Sequence, residues 1–238
     1  MNLIEKFGIK SKDVVSFVGS GGKTTTIFLL AKELSNYNNV LIITTTKMLI
    51  PKNKDIEFFE TAEDVNNYTG KNKIIVFGKR IEDSKFGPID SYELDLVKDK
   101  FENILIEADG SKRLPYKAWR EFEPVILKET NKTIGIIPSL YINKHLPEEL
   151  VFSPELFKEN FGFQGILNFK VIKNIILNKD GIFKNSQGEK IVYFNQQRNI
   201  DNLVITKEFI KKLKKYDNSI RYTMGKLNEN YSNNFGQW

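Results

Sequence analysis

The sequence predicts an α/β fold, with a mostly parallel sheet flanked by helices, and three observations carry that reading. Short apolar runs alternate with helical patterns through the N-terminal part of the chain. The first run, Val14 to Val18, leads into a glycine-rich turn that opens a helix. Cysteine is absent from all 238 residues, which excludes disulfides, cysteine-held metal centres and thiol catalysis by the chain itself.

Each element follows from its residues. Val14 to Val18 is a buried strand, and Lys23 to Leu34 after the glycines reads as a helix. Val40 to Thr44 is the second strand. Thr61 to Tyr68 reads as a short helix, Ile74 to Phe77 as a strand, Asp90 to Lys100 as a helix and Ile104 to Glu107 as a strand. An irregular stretch, ADGSKRLPYKAWREFEP, precedes the apolar run Ile134 to Ile137, which stops at Pro138. Beyond it the pattern loosens. Ser153 is placed to cap a helix with Pro154 at its first position. NFKVIKNIILNKDG reads as a helix closed by Gly181, Lys190 to Phe194 as a strand and Thr206 to Tyr216 as a helix. The closing GKLNENYSNNFGQW is polar and expected to be mobile, with Trp238 available to anchor it. Without repeats or a linker, residues 1–238 read as one domain, with a core over about 12–138 and an irregular second half over about 139–238.

The 36 Lys and Arg against 30 Asp and Glu give a net charge of +6, but the charges are interspersed. The densest run, Lys211, Lys212, Lys214 and Lys215, shares its segment with Phe209, Ile210, Leu213 and Tyr216 at helical spacing, so it reads as a solvated helix face. No nucleic-acid partner is inferred. No apolar run approaches the ~20 residues of a membrane span, and the charged N-terminus is unlike a secretory signal, so a cytoplasmic location is expected. The single histidine, His145, lies in a polar loop and excludes a histidine-rich metal site within one chain.

The sharpest motif is Gly19-Ser20-Gly21-Gly22-Lys23-Thr24-Thr25, between strand and helix. Glycines in such a turn let backbone N–H groups wrap a phosphate chain, a lysine at the helix start neutralises it, and the next hydroxyl can ligate Mg²⁺. This gives a P-loop NTPase-like fold expectation, with ATP or GTP as ligand. The usual G-x-x-x-x-G-K-[ST] spacing would put its first glycine at Phe17, so either the loop starts at Gly19 or Phe17 ends the strand. The alternative is a plain glycine turn with an exposed lysine.

Glu107 and Asp109 close an apolar strand and, two apart, project to one side. In phosphate-loop proteins this is where the metal or its water is held, which makes Thr24 and Asp109 the expected Mg²⁺ ligands. An Asp-Gly turn capping the strand is the plainer alternative. Thr44, Thr45, Thr46 and Lys47 end the second strand, on the edge where parallel sheets bind ligands. Lys23, Lys47, Glu107 and Asp109 are therefore the candidate catalytic residues. Lys112, Arg113 and Lys117 follow directly and are candidates for a second anion. Asn195-Gln196-Gln197-Arg198 loosely resembles the guanine-reading N-K-x-D, but the lysine and aspartate are missing, so GTP is not inferred from it.

Together, V-G-S-G-G-K-T-T, I-T-T-T-K-M, I-E-A-D-G-S-K-R-L-P-Y-K-A and E-P-V-I resemble the YqeC family, over most of residues 12 to 195. The family is described as selenium-dependent hydroxylase accessory proteins, or selenium cofactor biosynthesis proteins. The resemblance implies a pathway role more than a reaction: helping to mature a labile selenium centre on molybdenum hydroxylases. Joined to the phosphate loop, it gives the expectation of Mg-dependent nucleotide (ATP or GTP) hydrolysis or phosphoryl transfer in maturing the selenium or molybdenum cofactor of a selenium-dependent hydroxylase. The second anion would then be a phosphorylated or selenium-bearing substrate or a pterin phosphate, with Tyr116 and Trp119 stacking on the flat pterin unless Trp119 packs into the core. A nucleotide-gated accessory protein with little turnover is the alternative. Where the family has V-H-R, this chain has Val151-Phe152-Ser153. The G-x-x-G-K-T-T loop is also similar to that of Mur-type amide ligases, but the chain is about half the length those enzymes need.

Overall fold

The computed structural model describes residues 2–197 and 199–226. The chain begins with α1 (Leu3–Phe7), β1 (Val14–Gly19), α2 (Lys23–Leu34) and β2 (Val40–Thr44). There follow β3 (Met48–Leu49), β4 (Ile56–Phe59), α3 (Ala62–Asn67), β5 (Ile74–Phe77), β6 (Lys79–Glu82), β7 (Lys85–Gly87) and α4 (Ser91–Val97). Next come β8 (Asn103–Glu107), β9 (Tyr116–Lys117), β10 (Lys132–Pro138), β11 (Val151–Phe152), α5 (Pro154–Phe161) and α6 (Phe169–Leu177). The described part closes with β12 (Glu189–Asn195), α7 (Ile200–Leu213) and β13 (Arg221–Met224).

Among the described residues, the main sheet has eight strands, all parallel, in the order β13-β12-β10-β1-β8-β2-β5-β4. Its inner strands are buried on both faces, which is why they appear in the sequence as unbroken apolar runs. Side-chain alternation sends Val40 and Ile42 to one face, packed with Ile27 and Leu30 of α2. Leu41 and Ile43 go to the other, against Val65 of α3 and Leu94 of α4. Farther along that second face, Val192 and Phe194 pack with α5, α6 and α7.

Several sequence expectations are met closely and others are corrected. The helix Lys23–Leu34 and the strands Val40–Thr44 and Ile74–Phe77 fall where expected. The second half is not irregular: β12 and β13 continue the same parallel sheet. β13 and β4 are its two edges, and edge strands need no continuous apolar run. The strands of the three-stranded sheet β3-β7-β6 are only two to four residues long, too short to leave a periodicity to read. Ser153 does not cap α5 through its side chain; it sits in the left-handed region at φ 60°. α6 ends at Leu177, ahead of Gly181. α7 starts earlier than expected, because the Asn199 side chain accepts the Asn202 N–H at 2.9 Å. The segment from residue 227 onward, which holds Trp238, lies outside the described residues.

Candidate functional site

β1 enters the turn at Gly19, and α2 leaves it at Lys23. Gly19, Gly21 and Gly22 adopt φ values of 97°, 73° and 125°, a region that glycine reaches without steric cost. The turn is also crowded: a Cβ on Gly21 would fall 2.1 Å from Pro138 Cγ, and one on Gly19 2.4 Å from the Ile136 carbonyl oxygen. α2 has Gly22 as its N-cap, with no side-chain capping bond. Its first N–H groups are therefore left without a side-chain cap, at the positive end of the helix dipole.

Around this turn the carboxyl ends of β1 and β8 bring charges together out of water. Lys23 is 4 % exposed, donates to the Gly19 carbonyl at 2.6 Å and pairs with Asp109 Oδ1 at 3.0 Å. Burial alone would lower the Lys23 pKa, but the carboxylates of Asp109 and Glu107 outweigh it and hold the ammonium above its ordinary value. The other Asp109 oxygen accepts from the Gly19 N–H at 2.9 Å and Trp119 Nε1 at 2.5 Å, with Lys117 Nζ at 3.4 Å. Asp109 is thus ringed by donors. Glu107 instead accepts from Thr24 Oγ1 at 2.6 Å. Burial pushes the Glu107 carboxyl above its ordinary range, against the pull of Lys23 and of the Thr24 bond.

The structure brings Gly19 to Thr25, Glu107 and Asp109 into one neighbourhood but pairs Thr24 with Glu107 rather than with Asp109. Lys47 stands apart: its side chain is 68 % exposed and faces Glu82 at 3.9 Å. Thr44 Oγ1 donates to the Glu107 carbonyl at 3.0 Å and so ties β2 to the acidic strand end. The three cations after Asp109 separate. Lys117 is buried, donating to the Gly110 carbonyl at 2.6 Å and to Glu123 at 3.3 Å, and burial pulls its pKa down. Lys112 and Arg113 are exposed. Lys112 and Lys117 each lie 5.6 Å from the Phe152 ring centre and Arg120 5.0 Å, so the residue standing where the family has V-H-R is a ring gathering cations. Tyr116 and Trp119 are core residues, 2 % and 3 % exposed, with no open ring face for a pterin.

Sequence reasoning missed two contributors. Trp119 donates to Asp109, and the end of β12 clamps the turn: Asn195 Nδ2 and Gln196 Nε2 both donate to the Gly21 carbonyl, at 3.1 Å and 3.3 Å. The position of Asn195 at the end of β12, with Gln196 directly after it, at the carboxyl edge of the sheet was the signal available. Among the described residues, no group of three or more His, Cys, Asp or Glu could hold a metal ion. No helix among them is long and apolar enough to cross a membrane.

Fold and site together define a parallel α/β protein whose buried polar groups gather at the carboxyl ends of the central strands, where such sheets bind their ligands. The family model of the YqeC protein matches residues 15–155, and the chain belongs to the YqeC family. It is 28% identical over 218 residues to a protein of Escherichia coli (strain K12) named "Uncharacterized protein YqeC", covering 87% of this chain and 85% of that relative.

Proposed function

We propose that this chain binds a nucleoside triphosphate with Mg²⁺ and hydrolyses it or transfers its phosphoryl group. The observation that carries this reading is the uncapped start of α2, fed by a glycine turn at positive φ, with Lys23 and the Thr24–Glu107 pair at its mouth. The turn and helix amides would hold the phosphates, and Lys23, released from Asp109, would neutralise them. Mg²⁺ commonly takes one or two protein oxygens and fills its shell with phosphate and water, so the absence of a three-carboxylate cluster is no obstacle. Thr24 and Glu107 fit that role better than Thr24 and Asp109, because Thr24 is already paired with Glu107 while Asp109 Oδ2 accepts from the Gly19 amide and from Trp119. The metal, when bound, would stabilise charge on the transferring phosphoryl group. Asp109 then serves to hold Lys23 before the ligand binds and the Gly19 amide throughout. Lys112 and Arg113, with Arg120 in place of the buried Lys117, are the cations left for a second anionic substrate.

The pathway part of the proposal, maturation of the selenium or molybdenum cofactor of a hydroxylase, rests on the family resemblance. The gated-binding alternative draws on one feature of the site. Lys23 is tied to Asp109 and to the Gly19 carbonyl, so binding would have to release it and shift the loop.

Calorimetry of the full chain with ATP and GTP, with and without Mg²⁺, tests the proposal. Binding strengthened by Mg²⁺ is expected, and Thr24→Val should lower the affinity in Mg²⁺ by about 10- to 100-fold, the scale of a disturbed metal site. Absence of binding by the wild-type chain would overturn the reading. Turnover with and without a molybdenum hydroxylase separates an intrinsic enzyme from a gated accessory protein.

A further inference from the structure

The loop after Asp109 carries two features that nucleotide binding leaves unused. The first is a turn from Ser111 to Leu114, closed by the Leu114 N–H on the Ser111 carbonyl at 2.9 Å. Its two central residues, Lys112 and Arg113, stand at φ 48° and 66°. Turns with both central residues at positive φ are normally built from glycine, asparagine or aspartate, because a β-carbon crowds the backbone there. Here both places go to long cationic side chains, and both are exposed, so no core packing holds the strain in place. Backbone strain of this kind gathers at ligand sites. The second feature is the charge around Phe152, which the pairing of β11 with β9 sets beside Lys117. Lys112 Nζ lies 5.6 Å from the centre of the Phe152 ring and the Arg120 guanidinium 5.0 Å. Both charges thus fall within a Debye length of one point, ~8 Å at physiological salt. A ring attracts cations through its quadrupole but has no net charge to cancel theirs. Lys112, Arg113 and Arg120 pair with no carboxylate among the described residues. Glu123 is engaged instead by the buried Lys117 and by the Arg120 N–H.

Three exposed cations with donors and no acceptors ask for an anion with several acceptor oxygens and more than one charge. A carboxylate is planar and singly charged, and one arginine fork satisfies it. A phosphate monoester carries about −2 at neutral pH on three strong acceptor oxygens, enough for two guanidinium groups and an ammonium together. The place fits as well as the charge. Lys112 follows Asp109 by three residues, at most about 10 Å of extended chain, and Gly110 and Ser111 between them are half-exposed. The buried contact of Lys117 with Asp109, at 3.4 Å, stands between the patch and Lys23. An anion at Lys112 therefore sits near the glycine turn without sharing its lysine.

We propose that Lys112, Arg113 and Arg120, gathered at Phe152, bind a phosphate dianion as the charged end of the second substrate, an inference that rests on the second-anion part of the function proposed above. Calorimetry of the full chain with inorganic phosphate, methyl phosphate and acetate tests it. Each titration is run with and without Mg²⁺ and a non-hydrolysable nucleotide analogue that fills the glycine turn. The phosphates should bind at least about tenfold tighter than acetate with the analogue present. Binding of methyl phosphate as well as inorganic phosphate fits a monoester substrate, and binding of inorganic phosphate alone assigns the free ion. The double variant Lys112→Ala, Arg120→Ala should weaken phosphate binding about tenfold or more. Arg113→Gly should do the same while raising the urea midpoint, since glycine takes a positive φ freely. Unchanged phosphate affinity in the double variant, or acetate bound as tightly as phosphate by the wild-type chain, would overturn the proposal. An Arg113→Gly chain that gains stability and keeps its full affinity would equally overturn the part assigned to the turn. Nucleotide binding without any phosphate binding would sink this inference alone. Phosphate binding that the double variant loses, in a chain that binds no nucleotide, would remove the nucleotide reading and leave the patch standing.

Discussion

Under the proposed function Lys23 meets two demands that its place in the sequence did not reveal. A phosphate-binding lysine has to face ligand, yet here the ammonium is buried and held by Asp109 and the Gly19 carbonyl. Truncating it therefore strands a buried carboxylate as well as removing a ligand contact. Lys23→Met should cost about 3 kcal/mol of stability, toward the lower end for a broken buried pair because Trp119, Lys117 and the Gly19 amide still serve Asp109. Asp109→Asn should cost a similar amount by leaving the ammonium unpaired. The double variant should lose less than the sum, since neither charge is then left alone, and urea denaturation of the four proteins measures that coupling. Fully additive losses would mean the two charges do not depend on each other. Loss of nucleotide binding in Lys23→Met becomes interpretable only once this folding cost has been measured.

The elements legible in the sequence were those whose burial is complete. Val40 to Thr44 and Ile74 to Phe77 pack on both faces, so every residue is apolar or nearly so and the bounds are sharp. β4 and β13 lie at the sheet edges, where Glu57 and Arg221 can sit within a strand, and no period survives to mark them. The glycine turn and the acidic strand end were legible because they are local. The clamp from Asn195 was not, since it joins residues 174 apart in the chain. α5 shows the limit of local rules in another way. Ser153 before Pro154 has the sequence of a cap, but β11 enters the helix through a left-handed residue, so the hydroxyl makes no capping bond. Ser153→Gly should then relieve backbone strain without losing a contact. A gain of about 0.5–1 kcal/mol in urea denaturation is expected, and a loss of similar size would show that the serine hydroxyl does bond in solution.

At the scale of the whole molecule, the parallel sheet collects ionisable groups at one edge and buries them, and the fold carries that cost whether or not ligand is present. Glu107 is the clearest case. Desolvation raises its pKa above the ordinary 4.5, and the attraction of Lys23 offsets only part of the effect. A carboxyl group that holds its proton more tightly when folded contributes stability that is full below its unfolded value and is lost as pH rises through the folded value. The ionised Glu107 is thus a liability to the fold near neutrality, although the proposed metal site needs that charge. Glu107→Gln keeps an oxygen able to accept from Thr24 and removes the charge. Its melting temperature should match that of the wild-type chain below pH 4.5. It should exceed the wild type by a few degrees near pH 7, at about 2–4 °C per kcal/mol for a chain of this size. Over the same range the variant should lose Mg²⁺-dependent turnover. A variant less stable than the wild type near neutrality would show that the ionised Glu107 holds the site together rather than straining it. Retained turnover would move the metal role back to Asp109.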